Sequence, residues 1–302
     1  MTFAAPSTPG HLITRLTYKG APLLKYPVLT LVTANKAPLA TEKGYKPFGL
    51  AYIGTTLYAT ELENKTKGRL VEFKQGKEKK VLKSDFVGPR GLSATPKGEL
   101  LIPEETKVSL MSLDLKVIAS FGDVTNPRLA IPLPGDQYLI CDTDFCRLKI
   151  LDKDKVATKT VGFKTAGKAP LQFHFPLSAA VNPLNPNEVA VADLKNGRVQ
   201  FISLSPVDYL GELGKEEDLG VGQIRVDFTE PNSVFYDVNG YLYVTDLETH
   251  QLHIFSTTRE HLRVIGGKGN GPEQFNSPRT VVISPEGDIC VADNENCRIM
   301  FL

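Results

Sequence analysis

Six equivalent positions in a repeated pattern of this sequence carry residues that could recognise an anion. Each position directly follows a proline that opens an apolar run, and three of the six are arginine. The guanidinium group of arginine presents its donors as a planar fork that fits a carboxylate or a phosphate. In chain order the six residues are Phe48, Arg90, Arg128, Leu177, Asn232 and Arg279. Either the arginines converge on one positively charged spot, or each pairs with a local acid or carbonyl.

A second recurring feature is an acidic residue that follows each proline by 14 to 17 residues. The prolines are Pro47, Pro89, Pro127, Pro176, Pro231 and Pro278, and the acids are Glu61, Glu104, Asp142, Asp193, Asp246 and Asp293. In three copies an arginine follows five residues after the acid, namely Arg147, Arg198 and Arg298. Because this pair recurs, we expect it to be scaffold, in which a carboxylate and a guanidinium hold a turn.

The elements that must position these residues are short strands. Within each copy the apolar runs are four to six residues long and are separated by Gly, Pro, Asn and Asp. That pattern predicts strands and tight turns rather than helices. Three or four strands in a unit of about 45 residues are typical of a propeller blade. The sequence therefore predicts an all-β fold, a single domain over 1–302, with six four-stranded antiparallel blades that begin near residues 46, 88, 126, 173, 228 and 275.

Ring closure needs a strand from outside the six copies. The sixth copy ends after its third strand, and an incomplete blade would expose a sheet edge. We expect a closing strand within 11–34, formed by residues 11–18 or by residues 23–33, to pair with the C-terminal blade. Residues 1–10 are expected to be flexible.

The repeat resembles the NHL repeat. The landmarks are Pro278, the Val-Ala-Asp run at 291–293 and the Asn-x-Arg run at 296–298, and the copy at 191–198 is similar. The resemblance spans roughly residues 40–302 and is weakest in the first two copies. It implies a six-bladed propeller from a family that includes RNA- and protein-binding domains, sensor domains and a zinc-dependent amidating lyase. In that lyase, zinc-binding histidines follow the equivalent prolines, whereas none of the six positions is histidine here.

Composition and charge indicate which partners and which cellular compartment to expect. The 302 residues carry a formal net charge of +1, so only a local patch could attract nucleic acid. No apolar run is long enough to span a membrane, and the start of the sequence lacks the features of a secretory signal. The four cysteines form no C-x-x-C pair, which favours reduced thiols in a cytoplasmic protein.

The resulting hypothesis is a non-catalytic binding module. Its binding residues would be Phe48, Arg90, Arg128, Asn232 and Arg279, on the face around the central channel. The partner would be a protein or single-stranded RNA, without a membrane or a cofactor, and a monomer is the simplest expectation. The alternative is a Ca²⁺- or Zn²⁺-dependent lactonase or lyase, since Asn232, Glu61 and Glu104 are possible ligands for a hard cation. His250 and His253 do not suit a shared metal, because strand alternation puts them on opposite faces.

Overall fold

The structure is a computed structural model that describes residues 11–14, 17–18, 21–22, 28–31, 36–74, 78–214 and 226–302. The segment 1–10, which was expected to be flexible, lies outside the described residues. Five short strands precede the first blade: β1 (His11–Thr14), β2 (Thr17–Tyr18), β3 (Ala21–Pro22), β4 (Val28–Leu31) and β5 (Leu39–Ala40). No described helix is both long and apolar enough to cross a membrane.

The remaining strands, together with β5, form six antiparallel sheets of four strands each, as the sequence predicts. Blade 1 contains β6 (Lys46–Ile53), β7 (Thr56–Leu62), β8 (Lys67–Lys74) and β9 (Glu78–Val87). Blade 2 contains β10 (Ser93–Ala94), β11 (Leu100–Pro103), β12 (Val108–Met111) and β13 (Val117–Phe121). Blade 3 contains β14 (Leu129–Leu133), β15 (Gln137–Asp142), β16 (Arg147–Leu151) and β17 (Ala157–Gly162), with a 3-10 turn at Thr143–Phe145.

The second half of the chain repeats this arrangement. Blade 4 contains β18 (Pro176–Asn182), β19 (Asn185–Asp193), β20 (Arg198–Leu204) and β21 (Val207–Gly214), with a 3-10 turn at Leu194–Asn196. Blade 5 contains β22 (Pro231–Tyr236), β23 (Leu242–Asp246), β24 (Gln251–Phe255) and β25 (His261–Gly266). Blade 6 contains β26 (Pro278–Ile283), β27 (Ile289–Asp293) and β28 (Arg298–Phe301), and its fourth strand is β5.

The first strand of each blade lies at the centre of the ring. These inner strands contact one another in the circular order β6, β10, β14, β18, β22, β26 and back to β6. The described apolar residues form six clusters, one between each pair of neighbouring blades. A single blade cannot bury both of its faces, so this packing between neighbours supplies the core.

The ring is closed by an N-terminal strand, as expected, but the strand differs from the expected one. Arg298 of β28 pairs with Ala40, and Ile299 pairs with Leu39. Within 11–34, β1 pairs with β4 and β2 pairs with β3 instead. Because β1 and β4 pair with each other, the fourth strand of blade 6 is supplied by β5, which ends only a few residues before β6 begins at Lys46.

Candidate anion-binding site in the central channel

The six residues that follow the anchoring prolines all line one cavity along the axis of the ring. Its volume is about 600 Å³, within the range of ordinary ligand pockets. The structure thus brings Phe48, Arg90, Arg128, Asn232 and Arg279 together, and Leu177 completes the circle. Each of these side chains is partly exposed.

Two glycines explain why the first three blades approach one another so closely at this level. A Cβ atom on Gly91 would lie 2.1 Å from the carbonyl oxygen of Arg128. A Cβ atom on Gly49 would lie 2.5 Å from the backbone nitrogen of Leu92. Only glycine allows the backbones to come so near. The glycines that follow Phe48 and Arg90 therefore bring those residues toward the axis.

The three arginines form no ion pair with any carboxylate of the described residues. Arg90 donates from Nη2 to the carbonyl oxygen of Lys65 at 3.4 Å, and Arg279 donates from Nη1 to Oδ1 of Asn232 at 3.5 Å. Both contacts are at the long limit of a hydrogen bond. The Nε atoms of Arg90, Arg128 and Arg279 are buried and have no hydrogen-bond partner among the described residues. Buried donors of this kind are normally satisfied.

Electrostatic repulsion within the cluster is visible in the pKa values. Burial, followed by repulsion from Arg90 and Arg279, lowers the pKa of Arg128 to about 10. Burial and then repulsion from Arg90 lower the pKa of Arg279 to about 10, although Glu295 and Glu230 act in the opposite direction. Burial also lowers the pKa of Arg90. All three groups still carry a positive charge at neutral pH, so the cavity mouth concentrates charge in a protein whose net charge is +1.

Phe48 adds an aromatic surface to the same mouth. The Cζ atom of Arg279 lies 5.0 Å from the ring centroid of Phe48, and that of Arg90 lies 5.8 Å from it. At these distances the ring attracts both guanidinium groups. Phe48 therefore provides part of the contact that a carboxylate would otherwise supply, but it leaves the donors free.

The lining residues that were not expected from the sequence include Phe175, Leu194, Glu230 and Leu247. Phe175 directly precedes an anchoring proline and Glu230 directly precedes another, so the proline spacing could have indicated both. Glu230 forms an ion pair with Lys195, which offsets its negative charge. The mouth therefore keeps a positive balance despite the acid.

The expected scaffold role of the recurring acids is confirmed. In four blades the carboxylate accepts a hydrogen bond from the backbone nitrogen two residues before the anchoring proline, at 2.6 or 2.7 Å. These pairs are Asp142 with Thr125, Asp193 with His174, Asp246 with Thr229 and Asp293 with Asn276. Each acid thus holds the loop that leads into the inner strand, and indirectly the residue after the proline.

The arginines of the repeat complete this scaffold. Arg147, Arg198 and Arg298 donate from Nε to their acids at 2.6 to 2.9 Å. Sequence spacing missed the equivalent residue of blade 1, Arg69, which donates to Glu61 at 2.8 Å. Glu61 lies one residue before the end of β7 and pairs with Arg69, so seven residues separate the acid from the arginine instead of four. In blade 2 the partner of the acid is Ser109.

The residues proposed for a metal do not come together. Glu61 is paired with Arg69 and Lys79, and Glu104 accepts from Ser109, while only Asn232 lines the cavity. Nowhere in the described part of the chain do three or more His, Cys, Asp or Glu residues form a group that could hold a metal ion. His250 accepts from the backbone of Ser277.

Comparisons with known proteins agree with this geometry. The NHL repeat family matches residues 275–299, which form most of blade 6. A streptogramin B lyase structure has a TM-score of 0.61 at 10% identity, over 88% of this chain and 97% of that one. The WD40 β-propeller domain of Doa1 has a TM-score of 0.61 at 12% identity, over 88% and 96%. A catalytically inactive virginiamycin B lyase from Staphylococcus aureus with quinupristin has a TM-score of 0.59 at 12% identity, over 88% and 87%.

The chain is therefore a six-bladed β-propeller whose last blade carries an NHL repeat, and the resemblance noted in the sequence is confirmed. A comparison with curated protein sequences finds no match. Likeness at 10 to 12% identity shows the fold alone, and these neighbours include both enzymes and a WD40 domain.

Proposed function

We propose that this propeller is a non-catalytic binding module that receives an anionic group of a partner at the mouth of its central channel. The observation that carries the proposal is the cluster of Arg90, Arg128 and Arg279, whose Nε atoms are buried and unpartnered among the described residues. Mutual repulsion makes such a cluster costly for folding alone. A bound carboxylate or phosphate would supply the missing acceptors and offset the repulsion.

Both partner classes expected from the sequence offer such a group. A protein segment offers a carboxylate, and single-stranded RNA offers phosphates together with bases that could stack on Phe48. We favour a protein segment, because the three guanidinium groups line one recess. Single-stranded RNA is usually bound along a groove that contacts several successive nucleotides.

A direct test measures binding of two defined ligands, hexaglutamate peptide and a short oligouridine, by fluorescence anisotropy at several salt concentrations. Arg128→Ala and Arg279→Ala are expected to weaken binding of hexaglutamate at least tenfold. Lys116→Ala is the matched control, because Lys116 is an exposed cation on the outer hairpin of blade 2. Loss of oligouridine binding in the same two variants would favour RNA instead, and an affinity that ignores both arginines would contradict the proposal.

The setting of the module is also part of the proposal. We propose a monomeric cytoplasmic protein, and the four free thiols of Cys141, Cys146, Cys290 and Cys297 support a reducing compartment. The metal-dependent alternative gains no support from the described residues, because its candidate ligands are engaged in the scaffold or lie apart.

A further inference from the structure

The cavity continues beyond the arginines into the channel, and its deeper part differs in chemistry. Four residues along each inner strand from the six mouth positions, the cavity is lined by a second ring of side chains. This ring consists of Tyr52, Ala94, Pro132, Val181, Tyr236 and Ile283. At a rise of roughly 3.3 Å per residue, the two rings are about 13 Å apart along the channel.

The second ring carries no charge and offers little free hydrogen-bonding capacity. Four of its members are aliphatic. The hydroxyl of Tyr236 donates to Glu188 at 3.2 Å, and the hydroxyl of Tyr52 lies 3.4 Å from Sγ of Cys290. The two tyrosines therefore present mainly their rings to the channel. All six residues are partly exposed, which shows that the apolar surface is accessible from the cavity.

The wall between the rings is also mostly apolar. Among its partly exposed residues, Leu129, Ala180 and Phe235 are apolar, whereas Ser93 and Thr280 are polar but uncharged. The charged residues that line the cavity, three arginines and Glu230, are all at the mouth. One continuous space therefore combines a cluster of cations at one end with an uncharged, mainly apolar channel at the other. An anion without a tail would occupy only the arginine cluster. The channel beyond it would then hold water with few hydrogen-bond partners.

We propose that the cavity binds a small amphiphilic anion, with its carboxylate or phosphate head on the three arginines and an apolar tail along the channel. This proposal rests on the anion site proposed above and adds the class of ligand. Charge complementarity fixes the orientation of the head, and the length of the apolar wall sets the length of the tail. Because the head would occupy the same guanidinium groups, this ligand would compete with an acidic segment of a partner.

The test is isothermal titration calorimetry of the whole chain with acetate, butyrate, hexanoate and octanoate, and with inorganic phosphate and octyl phosphate. Affinity is expected to increase about fourfold for each added methylene until the tail fills the channel. Comparison of octanoate with octyl phosphate shows which head group the arginines prefer. The length series in the unmodified protein depends on no substitution, so it remains decisive even if a variant fails to fold.

Two substitutions locate the tail. Val181→Phe narrows the apolar part and is expected to reduce octanoate affinity at least tenfold while acetate affinity stays the same. Val238→Phe, at a surface position that is 86% exposed, is the matched control and should change neither. The melting temperature of each variant shows whether it is folded.

The outcomes separate this inference from the function on which it rests. Equal, arginine-dependent affinities for acetate and octanoate would overturn the amphiphile and leave the anion site in place. Octanoate binding that persists in Arg128→Ala would overturn the proposed orientation. If no anion binds, both proposals fail.

Discussion

Asn232 and Arg279 follow the anchoring prolines of neighbouring blades and contact each other through both backbone and side chain. Nδ2 of Asn232 donates to the carbonyl oxygen of Arg279 at 2.8 Å, and Nη1 of Arg279 lies 3.5 Å from Oδ1 of Asn232. Thr245 also donates to the same carbonyl, at 2.7 Å. Asn232 is thus a positioning residue for the arginine next to it.

This contact predicts a selective effect of Asn232→Leu. The leucine keeps a similar size but removes both hydrogen bonds, so the Arg279 side chain loses its orientation toward the cavity. Anion affinity is expected to fall roughly threefold to tenfold, with a loss of stability of about 1 kcal/mol. Titration of sulfate and urea unfolding measure the two effects. A fall in stability with unchanged sulfate affinity would show that the contact is only structural.

The charge cluster at the channel mouth predicts that Arg128→Met stabilises the fold while it reduces sulfate affinity at least tenfold. The buried guanidinium of Arg128 has no ion pair and is repelled by the two neighbouring arginines, which opposes folding. Methionine has a similar length but no charge, so the substitution should increase the free energy of unfolding by about 1 kcal/mol. The measurement is the free energy of unfolding in urea. Arg147→Met is the matched control, because it leaves the fully buried Asp142 unpaired and should cost about 3 kcal/mol. Equal destabilisation by both substitutions would assign Arg128 to the scaffold.

The lowered pKa values of Arg128 and Arg279 predict how anion binding depends on pH. Each group is charged below its folded-state pKa of about 10 and neutral above it. Sulfate keeps one charge state over this range, so its affinity should be constant between about pH 6 and 9 and fall above about pH 10. Calorimetric titration checks this, and an affinity that persists at about pH 11 would contradict it.

A buried histidine pair in blade 5 predicts acid sensitivity. Nδ1 of His253 lies 3.2 Å from Nε2 of His261, and burial together with the neighbouring His261 lowers the pKa of His253 to about 4. The unfolded chain therefore binds this proton more readily, and stability falls as pH decreases from about 6.5 to about 4, by roughly 3 kcal/mol. Urea unfolding at several pH values measures the slope. His253→Phe, which keeps a ring next to Phe228 and Phe255, should flatten it.

The position of the closing strand predicts different results for two truncations. Removal of residues 1–34 leaves β5 in place and should retain the fourth strand of blade 6. Removal of residues 1–41 deletes β5 and the contact from Thr41 to Cys297, and it should lower the free energy of unfolding by about 2 kcal/mol more. Equal stability of the two truncated chains would show that β5 does not close the ring in solution.

The repeated parts of the molecule were predictable from the sequence because they obey one rule six times. Prolines and acids in phase indicated six blades, and the hydrogen bond from the backbone of Asn276 to Asp293 shows why the phase is kept. Features that break the rule were harder to find. Arg69 was missed because three additional residues separate it from its acid, and the closing strand was misplaced because only two residues, Leu39 and Ala40, pair with β28.

Convergence at the channel was predictable only in part. The position after each proline indicated which residues could meet, but not how near they would come, which depends on Gly49 and Gly91. The apolar ring that contains Val181 and Ile283 carries no recognisable motif, because its pattern is the ordinary alternation of a strand. Its proposed role in ligand binding depends on its distance from the arginines at the other end of the channel, and therefore on the three-dimensional arrangement.

The short pairing of β5 with β28 has a mechanical consequence. The other outer strands are joined to their blades by at least four residue pairs, whereas this one is joined by two. Of the outer-strand pairings, the one that closes the ring is therefore the shortest, and it links blade 6 to the chain segment that leads into blade 1. Arg279 belongs to blade 6 and Phe48 to blade 1, and Cζ of Arg279 lies 5.0 Å from the ring centroid of Phe48. A force that widens the ring would separate these two residues first. Loss of the pairing between β5 and β28 would therefore open the channel mouth at the same time.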